Sequence, residues 1–126
     1  MSKRIVFTEK APKPVGPYSQ AVISGGFVFV SGQIPLDPET SKLVEGGIEA
    51  QTVQVLENLK NILESINLTL NDVVKASVFL SSFSDFQSFN RVYSRYFDVN
   101  PPARTTAQAG LMAGVLVEID AIAKKS

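Results

Sequence analysis

The chain has 126 residues, 44% of them hydrophobic and 19% charged, with a formal net charge of zero and a pI of about 6.2. That length suits one domain with one core, and the charge density lies below the roughly 25% usual in soluble domains, which suggests that part of the surface is covered. A neutral chain offers phosphate backbones little, and the absence of both cysteine and histidine excludes disulfides, thiol nucleophiles, Ser-His-Asp triads and the usual zinc sites.

Lys3–Thr8 (KRIVFT) is β-branched and predicts a first strand. Ala11–Pro17 (APKPVGP) reads as rigid loop, since each proline fixes φ and removes an amide donor. Tyr18–Gln33 contains two apolar runs about Gly25-Gly26, a hairpin signature because paired glycines accept the positive φ of tight turns. After the polar connection Pro35–Gly47, Val55, Leu59, Ile62 and Ile66 recur at three- and four-residue steps. Leu56 and Leu63 widen that stripe, which predicts a helix over Ile48–Asn67.

Asn71–Leu80 alternates as a strand, with Val74, Ala76, Val78 and Leu80 on one face and Val73, Lys75, Ser77 and Phe79 on the other. Ser84 or Asp85 is expected to cap a second helix carrying Phe86, Phe89, Tyr93 and Tyr96, which stops at Asn100-Pro101-Pro102. Two closing strands follow, near Arg104–Ala109 and Val115–Ala123. This order predicts one α+β domain over residues 1–126. No segment has the length and apolarity of a signal peptide or a membrane span, so a soluble cytoplasmic protein without a membrane partner is expected.

In the last strand Val117, Ile119, Ala121 and Ala123 form one apolar face, while Leu116, Glu118, Asp120 and Ile122 form the other. Two helices can cover one sheet face but not both. The second face is too apolar to be left in water, which points to burial against other subunits.

Several chemistries are absent. There is no GxxxxGK loop and no GxGxxG opening a helix after a strand, and Asp37, Glu39 and Glu45 lack calcium-loop spacing. Neither a metal nor a cofactor is expected. Three groups of residues remain. Tyr18 stands in GPYSQAV, where it is either a site residue or an interface or core aromatic. Ser31 and Gly32 stand in VSGQIP, where glycine permits close backbone approach to a ligand or simply marks a bulge. Arg104 follows Pro-Pro, and its planar fork suits a carboxylate, with Glu118 able to deprotonate a water. The alternative is that Arg104 and Glu118 pair with each other or with solvent. Asp120 is taken as a surface or interface charge.

GPYSQAV, VSGQIPLDPETSKLV, NLKNILE, VVKASVFL, FNRVYSRYF, PPART and VEIDAIA occur in this order along nearly the whole chain. As a set they resemble the RidA (YjgF-type) family of reactive enamine/imine deaminases. The resemblance implies a chorismate-mutase-like fold, a mixed sheet with two helices on one face. It also implies a homotrimer with clefts between subunits. The activity implied is cofactor-independent hydrolysis of 2-imino acids and their enamine tautomers, such as 2-iminopropionate and 2-iminobutyrate, to 2-oxo acids and ammonia.

By motif, the resemblance gives Arg104 the substrate carboxylate and Glu118 the attacking water. Tyr18 would close the pocket, and Ser31, Gly32 and Asn90 would line or support it. Thr106 stands where many members have cysteine and would contact the ligand. Two departures lie between Arg104 and Glu118. Arg104–Leu111 is one residue shorter than the usual stretch, and Leu111–Val115 (LMAGV) replaces a common Leu-Pro-Lys-Gly loop. A non-catalytic 2-oxo acid sensor is the alternative function, in which Arg104 is needed and Glu118 is not. Nucleic-acid binding is not expected from a neutral chain.

Overall fold

A computed structural model describes residues 2–125 of the chain. Among these the order is β1 (Arg4–Val6), β2 (Ala21–Ser24), β3 (Phe27–Gln33), α1 (Gly47–Glu64), β4 (Val73–Leu80), α2 (Phe86–Tyr96), β5 (Ala103–Gln108) and β6 (Val117–Lys124). Every predicted element is present, with ends shifted by a few residues. Short 3-10 turns, Leu70–Asp72 and Phe83–Asp85, lead into β4 and α2.

The strands form one mixed sheet in the order β1-β2-β3-β6-β4-β5. Gly25 and Gly26, at φ 60° and 81°, make the tight turn between β2 and β3. Only β4 and β5 run parallel, because α2 carries the chain back before β5 begins. The last strand, β6, enters between β3 and β4.

One face of this sheet lies under both helices. Val55, Leu56, Leu59, Ile62 and Leu63 of α1 and Phe89 of α2 are buried there in one cluster with Val28, Val30, Ala76, Val78, Leu80, Val117 and Ile119. Each such side chain contributes about 1.5–3 kcal/mol by leaving water. Helix α1 stops short of the predicted Asn67. That residue takes a left-handed φ of 64°, and the Leu68 N–H returns to the Leu63 carbonyl at 3.0 Å, which closes the helix end.

Two local expectations are corrected. A register shift between Val73 and Lys75 places a bulge at the start of β4, so Val73 turns into the core at 4% exposure while Val74 faces out at 45%. The alternation read from the sequence therefore holds only from Lys75 onward. At α2, Asp85 occupies the cap position but its side chain makes no capping bond. The preceding 3-10 turn is capped instead by Ser82, whose hydroxyl accepts from the Ser84 N–H at 3.2 Å.

Among the described residues no layer covers the opposite sheet face. Cross-strand register lines up Ile5, Val22, Phe29, Ile122 and Lys75 across it, and Ile5, Phe27 and Phe29 are exposed. This is the apolar outer face that the pattern of the last strand predicts.

Candidate functional site

Arg104 lies on β5, the edge strand, in register with Ala76 of β4, which is buried beneath the helices. Its side chain accordingly rises on the helix side. There Nη1 donates to Asn90 Oδ1 at 2.8 Å. The guanidinium carbon lies 4.8 Å from the ring centre of Tyr93, 5.6 Å from that of Phe89 and 5.8 Å from that of Phe86. Thr106, two residues on, shares this face and lines an open hollow of about 450 Å³ with Phe83 and Phe86. Arg104 itself borders a second open hollow of about 500 Å³ with Asn90, Tyr93 and Pro101. The guanidinium is thus held by Asn90 beside an open space that an anion could enter.

Glu118 lies on β6 between Val117 and Ile119, both buried under the helices, so its carboxylate projects from the outer face. It rests against Gly32, in the part of β3 where register shifts between Val30 and Gln33. A Cβ at position 32 would lie 3.0 Å from Glu118 Cδ and 3.2 Å from Cγ, with Oε2 closer still. Only glycine leaves room for this carboxylate. The bulge reading of VSGQIP is therefore realised, and the close approach that glycine permits here is to Glu118.

The Ser31 hydroxyl donates to the Ser19 carbonyl at 2.6 Å, tying β3 to the loop that presents Tyr18. Buried Gln20 holds the same loop from below. It donates to the carbonyls of Thr8, Ala11 and Pro12 at 3.0, 3.3 and 2.9 Å and accepts from the Thr8 N–H at 2.8 Å. Tyr18 is half exposed, and its hydroxyl accepts from the Val15 N–H at 3.2 Å. Tyr18, Ser31, Gly32, Met112 and Glu118 border one hollow of about 320 Å³. Gln51 positions the loop that carries Met112, donating to the Gly114 carbonyl at 2.9 Å and accepting from the Leu116 N–H at 2.8 Å.

Burial pushes the Glu118 carboxyl above its ordinary pKa, and the neighbouring Asp120 charge adds to that. The only ion pair among the described residues joins Arg91 to Glu49 at 2.8 Å, so no cation offsets Glu118 within the chain.

The residues singled out from the sequence therefore fall into two groups. Arg104, Asn90 and Thr106 stand on the helix side of the β5 edge, whereas Tyr18, Ser31, Gly32 and Glu118 stand on the outer face. Arg104 and Glu118 neither pair nor meet within one chain, which removes the alternative that they form a salt bridge with each other there. Strand parity is the reason. Arg104 is level with Ala76, Ala76 with Ala121, and Ala121 faces inward three residues from Glu118; an odd step changes faces.

Phe83, Phe86, Tyr93 and Met112 border these hollows without having been singled out as site residues. In the sequence, Phe86 and Tyr93 carry the spacing of an ordinary core stripe, so pattern alone could not show that an arginine fills part of their packing. Among the described residues no three carboxylates gather as a metal site, and no helix is long and apolar enough to cross a membrane.

The family model described as Endoribonuclease L-PSP matches residues 8–125. A RutC family protein of Pyrococcus abyssi is 53% identical over 126 residues, 99% of each chain. The human 2-iminobutanoate/2-iminopropanoate deaminase is 41% identical over 122 residues, 96% of this chain and 89% of the human one. The crystal structure of RidA from an Antarctic Psychrobacter matches with a TM-score of 0.92 at 45% identity, covering 96% of this chain and 98% of that one.

Proposed function

Because the chain belongs to the endoribonuclease L-PSP family, the family of the RutC and RidA proteins, we propose that it hydrolyses reactive 2-imino acids and their enamine tautomers to 2-oxo acids and ammonia. The observation that carries this reading is the division of the site: an anion anchor with no base on one side, a desolvated carboxylate with no cation on the other. In a cyclic homotrimer closed through the apolar outer face, the Arg104 edge of one subunit meets the Glu118 hollow of its neighbour. The human relative's name supports the substrate class, small 2-imino acids.

The chemistry needs little beyond these groups. The Arg104 fork takes the substrate carboxylate through two parallel N–H donors and so fixes the imine carbon. Glu118 accepts a proton from a water while the water oxygen bonds to that carbon, and the C=N π electrons move to nitrogen. Glu118 then returns the proton to nitrogen. The C–N bond breaks, ammonia leaves, and the hydroxyl proton passes through Glu118 to the departing ammonia, leaving the 2-oxo acid. A raised pKa makes Glu118 a stronger base than an ordinary carboxylate. The electrophile is the substrate's own, which is why no cofactor is required. RNA cleavage, named in the family description, finds less support in a chain with zero net charge and no histidine.

Subunit mixing tests the reading. Arg104→Ala and Glu118→Gln chains should each be inactive alone and form particles of about three chains by light scattering. Unfolded, mixed and refolded together, they should regain activity at about one interface in four, because random neighbours then restore intact clefts. No recovery, with mixed particles formed, would place both groups in one chain's site and overturn the shared cleft.

A further inference from the structure

We propose that Tyr93 is a positioning residue for Arg104: its ring is the platform that holds the guanidinium plane in the orientation the substrate carboxylate requires. This rests on the reading of Arg104 as the carboxylate anchor and adds a residue that acts only through it.

Phe86, Phe89 and Tyr93 follow one another along α2 at three- and four-residue steps, so all three rings present to the same strip beside β5. Arg104 enters that strip from the sheet, and of the three rings Tyr93 lies nearest, 4.8 Å from the guanidinium carbon. Tyr93 is itself held firmly. It is 5% exposed, and it packs between Phe89 at 5.3 Å and Phe97 at 4.7 Å between ring centres. A cation lying over an aromatic face is attracted by the ring's negative face while its in-plane donors remain free. Asn90 then takes one of those donors, which fixes rotation within the plane. Ring and amide together leave one edge of the fork for a carboxylate.

The hydroxyl of Tyr93 is buried and no group completes a hydrogen bond with it. It lies close to Arg104, whose charge and N–H donors both oppose the upward push of burial on its pKa. With no hydrogen bond completed at the oxygen, the ring carries the larger share of the hold on Arg104. This separates the present role from simple core packing, because it predicts that aromaticity and not volume matters.

The experiment compares Tyr93→Phe with Tyr93→Leu, using Tyr93→Met if the leucine variant does not fold. Binding of 2-oxobutyrate is measured by calorimetry, and the Arg104 Nη hydrogens are followed by NMR with arginine labelled in nitrogen. Tyr93→Phe should bind as wild type and keep distinct, slowly rotating Nη signals. The leucine or methionine variant should bind about tenfold more weakly, within the two- to thirtyfold span of a cation–π contact, with averaged Nη signals. Wild-type affinity and unchanged Nη signals in the non-aromatic variant would overturn the proposal. So would an equal loss in Tyr93→Phe, which would assign the effect to the hydroxyl. If wild type binds no 2-oxo acid, the anchor reading fails, while the Nη signals still decide whether Tyr93 orders Arg104.

Discussion

Gly32→Ala changes one hydrogen to a methyl group and should silence the protein without unfolding it. The φ of Gly32 lies outside the left-handed region, so the backbone accepts alanine. Reduced freedom of the unfolded chain would even add about 0.4–1 kcal/mol of stability. The new Cβ, however, would lie 3.0 Å from Glu118 Cδ and 3.2 Å from Cγ, and it would overlap Oε2. The carboxylate is the movable partner and must swing away by about 1 Å or more. A misplacement of about 1 Å costs about a hundredfold in rate, or about 2.7 kcal/mol on the barrier.

The assay is ammonia release from freshly generated 2-iminobutyrate, with the spontaneous hydrolysis of the imine subtracted from a protein-free control. Thermal melting and 2-oxobutyrate binding are measured alongside. The expected pattern is kcat/KM down about a hundredfold, an unchanged or slightly raised Tm, and binding through Arg104 nearly intact. Wild-type turnover in Gly32→Ala would refute the claim that this glycine sets the position of the base. A lowered Tm with loss of both binding and turnover would show instead that the bulge itself had collapsed.

Arg104→Lys keeps the charge but replaces a two-donor fork with a point charge, so 2-oxobutyrate binding by calorimetry should weaken at least tenfold. Glu118→Gln should leave that binding nearly intact while lowering imine hydrolysis about a hundredfold or more; a variant that binds and still turns over would move the base elsewhere, and a wild type that binds without exceeding the spontaneous rate would be a sensor. Desolvation, then Asp120, raise the Glu118 pKa within the chain, so the acid limb of wild-type kcat/KM should lie above the ordinary carboxylate range; a limb within that range would show that the partner subunit's Arg104 offsets the desolvation. A raised folded-state pKa gives stability that is present below the unfolded value and lost as pH rises through the folded one. Glu118→Gln escapes that loss, so its Tm should exceed that of wild type at neutral pH and the difference should vanish near pH 4; a Tm at or below wild type at neutral pH would show that the partner subunit's Arg104 compensates the carboxylate.

The amino-acid sequence by itself determined the parts. Periodicity located both helices, Gly25-Gly26 closed the hairpin, and the apolar run of Val117, Ile119, Ala121 and Ala123 identified the buried face of β6. These are local properties, set by alternation and by the φ angles that glycine permits. The ordered motifs likewise carried the family and named the candidate site residues. What they could not carry was where those residues stand relative to one another. That Arg104 and Glu118 face opposite ways follows from register between β5, β4 and β6, strands paired across a helix and a loop. That Val73 turns inward and Gly32 lies under Glu118 follows from two bulges. That Tyr93, a core residue, also packs on Arg104 follows from the edge position of β5. Pairing register is a non-local choice made by the whole sheet, and one residue's shift in it reverses every side chain that follows.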